Sequence, residues 1–207
     1  MTDVTRGGVM AATAAIQRTL AILALVAVAI TVITVVAMMR RRVSDSFAHN
    51  LALPLATAVA VVATTGSLYL SEVAGYVPCL LCWYQRIAMY PLVIILGVAA
   101  LRRDRSVWLT AVPIASIGTA VSGWHIMIEQ RPALGGVCDP VAPCALKWVE
   151  EFGFLTLPTM ALIGFGTIIV LTLAARAVKG KPHRESQAAD PISPQDKRPF
   201  TNEEASQ

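Results

Sequence analysis

The chain has 207 residues, of which 56% are hydrophobic and 14% charged, with a formal net charge of +4. A soluble domain carries about 25% charged residues, so this composition excludes a disordered chain and argues against a soluble enzyme. The basic balance does not point to nucleic acid either, because the arginines sit in short clusters between apolar runs, the pattern that orients membrane helices.

A membrane helix needs about 20 mostly apolar residues. Residues 1–18 form an N-terminal segment, and residues 19–39 then supply the first uncharged run, rich in Leu, Val, Ile and Ala. Its stronger positive cluster, Arg40 to Arg42, follows the run, which predicts a retained helix and not a cleaved signal. Further runs cover residues 50–71, 106–128 and 153–175. Residues 87–101 are apolar but too few to span unless their helix starts near Leu80 or Cys82. That start puts Arg86 within the first turns of a membrane helix, where an ionisable side chain is a candidate functional group. Snorkelling to the interface is the alternative reading. Pro91, Pro113 and Pro158 fall inside these runs, each removing a helix hydrogen bond that neighbouring helices tolerate. The expectation is an all-α membrane protein with five transmembrane helices. Residues 177–207 hold almost no large apolar side chains and are expected to form a disordered tail.

Ten basic residues follow the first, third and fifth runs, against four at Arg6, Arg18, Arg131 and Lys147 on the other side. The bias puts the arginine clusters and the C-terminus in the cytoplasm. The N-terminus, residues 71–84 and residues 129–152 are then outside, and with them every cysteine.

The four cysteines form two pairs. Cys79 and Cys82 are a C-x-x-C at the expected start of the third helix, where free N–H groups and the helix dipole favour a thiolate. Arg86, four residues past Cys82, shares its helical face. A thiolate facing a fixed positive charge is a good donor to an acceptor placed against it. Cys138 and Cys144 bracket Asp-Pro-Val-Ala-Pro after two glycines, which suits a short disulfide loop open to an incoming thiolate. A stapled loop without chemistry is the alternative. A zinc cage is disfavoured by the spacing of the second pair and by the oxidising face, so no metal is expected. Covalent haem is excluded because Trp83, not His, follows the first pair. His125, near the outer end of the fourth helix, either orients a polar ligand, relays a proton, or is satisfied by a neighbouring carbonyl. Tyr76, Trp83 and Tyr84 form an interfacial aromatic belt or flank a flat ring.

Residues 78–92, Pro-Cys-Leu-Leu-Cys-Trp-Tyr-Gln-Arg-Ile-Ala-Met-Tyr-Pro-Leu, resemble the first active-site segment of the DsbB/BdbC-type disulfide-forming membrane proteins. Residues 143–158 resemble the end of that family's second outer loop and the entry to its last helix. The resemblance covers roughly residues 50–176. It implies a four-helix transmembrane bundle there, with residues 19–39 as one extra N-terminal helix of unexplained role. It also implies a relay. An extracytoplasmic DsbA-like thioredoxin-fold protein attacks the Cys138–Cys144 disulfide at Cys138, and Cys144 exchanges with Cys79. Cys82 passes electrons to a membrane quinone, ubiquinone or menaquinone, with Arg86 and His125 on the quinone side. The compact loop resembles the Gram-positive branch. A vitamin K epoxide reductase-like enzyme is the nearest alternative, but there the loop pair precedes the C-x-x-C. A membrane protein with two structural disulfides is the other.

Overall fold

In a computed structural model of the chain, residues 3–134, 138 and 142–177 are described. Of the expected tail, residues 177–207, Ala177 ends the last helix and residues 178–207 lie outside the described residues. Six helices follow in order: α1 (Asp3–Met39), α2 (Asp45–Asn50), α3 (Ala52–Glu72), α4 (Leu80–Arg102), α5 (Trp108–Gln130) and α6 (Leu157–Ala177). All but α2 are long and apolar enough to cross a membrane. The all-α class and the five spans are as expected.

Two boundaries differ from the sequence expectation, each for a local reason, and the start of the third span near Leu80 is as expected. Helix α1 starts at Asp3, well before the apolar run: residues 9–16, rich in alanine and free of proline, favour helix, which continues through Gly7 and Gly8. Helix α4 starts at Leu80 with Cys79 as its N-cap, which lengthens the short apolar run into a full span. The last helix starts at Leu157 and not at residue 153. Residues Glu150–Glu151 (β1) pair antiparallel with Leu155–Thr156 (β2), and the turn between them uses Phe152 and Gly153 with positive φ. Pro158 therefore falls in the first turn of α6, where no intrahelical N–H is needed, and costs that helix nothing.

The bundle is centred on α6, which packs against α5, α3 and α1, while α4 packs between α3 and α5. Small residues at the contacts, among them Ala52, Ala56 and Ala60 of α3 and Ala111 and Ala115 of α5, let the backbones approach. Phe165, Leu92, Leu96 and Ile168 fill the core between them. At Gly118 the Phe165 ring occupies the place a side chain would take, so this crossing of α5 and α6 requires glycine. Several threonine hydroxyls inside the spans are satisfied by their own helix, as a bilayer favours. Thr57, Thr119, Thr167 and Thr172 each donate to the carbonyl four residues back.

The two ends of the bundle differ in chemistry. Helix α4 stops where Arg103 adopts a left-handed conformation, and the Asp104 carboxylate caps the following turn by accepting from the Ser106 N–H. The Arg176 guanidinium stacks 3.8 Å over the Trp108 ring. This joins the arginines after α4 and α6 at one end. The cysteines lie at the other.

Candidate active site

At the cysteine end, Cys79, Leu81, Ile128 and Cys144 form a buried cluster, with Cys82, Cys138, Val121 and Ala145 packed around it. The fold thus brings together two pairs that lie far apart in the chain. Cys138 and Cys144 are joined as a disulfide, while Cys79 and Cys82 are free thiols with their sulfurs 2.9 Å apart. Exposure distinguishes the members of each pair. Cys144 is 1% exposed and Cys79 4%, whereas Cys138 and Cys82 are only half-buried.

The N-cap position of Cys79 follows from its extended backbone ahead of α4, and its Sγ accepts the Cys82 N–H at 3.4 Å. The Cys79 thiol is held well below the ordinary thiol range. Its hydrogen bond with the Cys82 thiol is the largest cause. Burial opposes it, and His125 and the Cys82 N–H add to it.

His125 is 3% exposed and sits between the two pairs. Its Nδ1 lies 3.1 Å from the Gln85 amide nitrogen, and its Nε2 lies 3.1 Å from the Cys144 carbonyl oxygen and 3.7 Å from Cys79 Sγ. A carbonyl only accepts, so Nε2 carries the proton, and the Gln85 amide donates to Nδ1. Gln85 thereby fixes the tautomer in which His125 donates toward both Cys144 and Cys79. The family resemblance implied a place for His125 beside a quinone. It is not among the residues that line the apolar cavity described next.

That cavity, of about 310 Å³, lies between α1, α3, α4 and α6. Its walls are aliphatic over most of their area. The polar positions gather toward the cysteine end, at Cys82, Gln85, Arg86, Ser67 and Tyr76. Arg86 does not snorkel to the interface. It is 9% exposed, with Nε donating to Ser67 Oγ and Nη2 to the Ser67 carbonyl, both at 3.0 Å. Trp83 stacks on its guanidinium at 5.2 Å. Tyr90, one helical turn below Arg86 on α4, also lines the cavity. Its hydroxyl is buried without a hydrogen-bond partner among the described residues. Of the aromatic belt, Tyr76 belongs to the cavity wall, stacked on Trp148 at 5.1 Å, while Trp83 and Tyr84 are about half exposed.

Gln85, Ser67 and Tyr90 are candidate site positions that do not stand out in the sequence. Gln85 stood inside a quoted motif with no visible partner. Ser67 carries no local signal, since its importance comes from the packing of α3 on α4. The Cys79, Cys82 and His125 donor atoms all lie within 4.8 Å of one another, which makes a set of three soft ligands. A closed structural zinc site takes four.

A family model, that of the Disulfide bond formation protein DsbB, matches residues 49–175. The chain belongs to the DsbB family. Its relatives include the probable disulfide formation protein C 1 of Bacillus anthracis, 46% identical over 122 residues, which are 58% of this chain and 87% of the relative. The disulfide bond formation protein C of Bacillus subtilis (strain 168) is 42% identical over 125 residues, covering 59% of this chain and 91% of its own length. A probable disulfide formation protein of Oceanobacillus iheyensis is 44% identical over 137 residues, 65% of this chain and 94% of that one. No solved structure matches the chain. This DsbB-family member is thus a multi-pass membrane oxidoreductase of disulfide bond formation, as the motif at residues 78–92 implied. The whole of α1 lies before the matched residues.

Proposed function

We propose that the protein reoxidises an extracytoplasmic thioredoxin-fold thiol oxidase and passes the electrons to a membrane quinone. The observation that carries this reading is the opposite outlook of the two C-x-x-C sulfurs. Cys79 lies against His125 and shares a buried cluster with Cys144, whereas Cys82 lines an apolar cavity together with Arg86.

The exchange balances in two steps. The partner's dithiol reduces Cys138–Cys144, entering at Cys138 because Cys144 is shielded. The resulting Cys144 thiolate attacks the Cys79–Cys82 disulfide at Cys79, and the Cys82 thiolate leaves. Closing Cys138–Cys144 again then leaves Cys79 and Cys82 as the dithiol. His125 stands where this exchange occurs and stabilises negative charge on Cys79 through its Nε2–H. Gln85 holds the ring in that orientation.

A quinone suits the residues around the cavity. The volume is in the range of small-molecule pockets, about 300–1,000 Å³, and the lining is mostly apolar with a few convergent polar groups. The unpartnered Tyr90 hydroxyl is a donor for a carbonyl oxygen, and Arg86 supplies a fixed positive charge beside Cys82. When bound, the quinone supplies a two-electron, two-proton acceptor that leaves as the quinol. Arg86, pinned to Ser67, keeps its guanidinium fixed at the cavity wall that Cys82 also lines. By the arginine bias, the cysteine end faces the extracytoplasmic side and the arginine end the cytoplasm.

The test is reconstitution. Purified protein, a reduced thioredoxin-fold thiol oxidase and ubiquinone or menaquinone should together produce quinol, and Cys82→Ser should abolish it. Full quinol production by that variant would overturn the reading.

A further inference from the structure

Helix α1 is wholly outside the span matched by the family model, yet it is not loosely attached. Gln17 Nε2 donates to the Tyr76 hydroxyl at 2.8 Å, near the cysteine end. Farther along the helix, the Thr31 and Thr167 hydroxyls meet at 2.9 Å and tie α1 to α6. Between these two ties, Leu20, Leu23, Ala24, Val26, Ala27 and Ile30 line the apolar cavity, so α1 is one of its walls.

The contact of α1 with α3 is much slighter than that with α6, and it varies with depth. At the cysteine end the seam is closed, because a side chain at Gly66 would meet Leu20 Cδ2 at 2.9 Å. Deeper, Leu23 and Val26 of α1 and Val62 of α3 line the cavity and remain 43%, 48% and 36% exposed. The cavity therefore opens sideways there. Val26 lies about 13 Å along the helix from Gln17, at 1.5 Å per residue. That depth is inside a hydrocarbon layer about 30 Å thick, so the opening faces acyl chains and not water.

We infer that α1 and α3 form a lateral portal through which a polyprenyl quinone enters, and that α1 then holds its isoprenoid tail. This deepens the quinone reading and rests on it. The polar end of the cavity at Cys82 and Arg86 takes the ring, and the aliphatic stretch of α1 from Leu23 to Ile30 takes the tail. The extra helix is a specificity element for tail-bearing acceptors.

Two measurements on the full-length protein in lipid vesicles test this. First, a menaquinone carrying a photoreactive diazirine on its tail is irradiated in the complex, and the labelled peptides are sequenced. Label is expected on residues 20–30 of α1. Label confined to α4 and α6 overturns the inference. Second, binding of a long-tail menaquinone and of a tail-less benzoquinone is titrated by tryptophan fluorescence in protein with both cysteine pairs oxidised, so that no electrons pass to the quinone. Ala27→Phe and Val26→Trp narrow the tail wall, while Ile22→Trp adds bulk on an exposed face of α1 away from the cavity. Losing the burial of about two methylenes weakens long-tail binding about tenfold. The expected result is that loss in the first two variants only, with tail-less binding within about twofold. Equal loss for both quinones, or no loss in either variant, overturns the role of α1 while leaving quinone use intact. If the unmodified protein binds neither quinone, the reading beneath the inference fails with it.

Discussion

Replacing His125 with alanine tests the geometry of the relay most directly. The Nε2–H of His125 is shared between the Cys79 sulfur and the Cys144 carbonyl, at 3.7 and 3.1 Å, in a site only 3% exposed. A hydrogen bond to a charged group contributes about 1.5–3 kcal/mol, so the loss predicts about a tenfold to hundredfold slower exchange between the pairs. The variant also strands the Gln85 amide and the Cys144 carbonyl, each a buried polar group costing about 1–3 kcal/mol when unpaired. Destabilisation and slow exchange are thus both expected, and they must be separated. The assay mixes fully oxidised protein with a dithiol in the absence of quinone, quenches with acid, alkylates, and follows Cys79 and Cys82 by mass spectrometry. His125→Gln keeps an N–H and is expected to recover part of the rate. The pH dependence has a definite sign. The folded Cys79 thiol sits below its ordinary range, so its thiolate persists through neutral pH and is lost as pH falls through the lowered value. Removing His125 raises that value, so the acid limb of the rate moves to higher pH. A folded alanine variant with exchange within about twofold of the unmodified protein at every pH would refute the role given to Nε2, since the missing bond would then contribute under about 0.5 kcal/mol.

Other expectations follow from single contacts. Arg86→Lys loses the two-pronged grip on Ser67 Oγ and its carbonyl, so quinol formation should fall about tenfold while thiol exchange with the partner holds. Steady-state kinetics on each substrate distinguish the two. Tyr90→Phe removes a buried hydroxyl that has no partner among the described residues. It should weaken quinone binding by about 0.5–1.5 kcal/mol yet leave the quinone-free protein as stable or more so, which a binding titration and a melting curve check together. Gly118→Ala drives a side chain into the Phe165 ring and should lower stability by about 1–3 kcal/mol. Phe165→Leu in the same chain should restore part of that loss on thermal unfolding.

The spans were legible because the bilayer imposes a length and a composition that show in one dimension. The relay cysteines and Arg86 were legible because their spacing is local, with the C-x-x-C and the arginine within two helical turns. What escaped the sequence depends on packing between helices. Ser67 matters only because α3 lies against α4 at that height. His125 was visible as a residue, but its place between Cys79 and Cys144, away from the cavity, depends on where α5 meets the loop. The start of the last helix was misplaced because residues 153–156 are apolar enough to read as helix. A tight turn with positive φ at Phe152 and Gly153 diverts them into a two-residue strand.

The unequal exposure of the cysteines has an electrical consequence. A chain of thiols that conducts between a protein and a lipid-soluble acceptor is useful only if it does not leak. Small thiols and oxidants in the surrounding medium would otherwise short-circuit it. With Cys79 and Cys144 at 4% and 1% exposure, the middle of the proposed relay is insulated, and under that proposal current would enter at Cys138 and leave at Cys82. Both terminals are selective by shape, one for a docking protein and the other for an apolar molecule. The same sealed contact that slows stray reagents lets the relay hold a difference in redox potential between its ends.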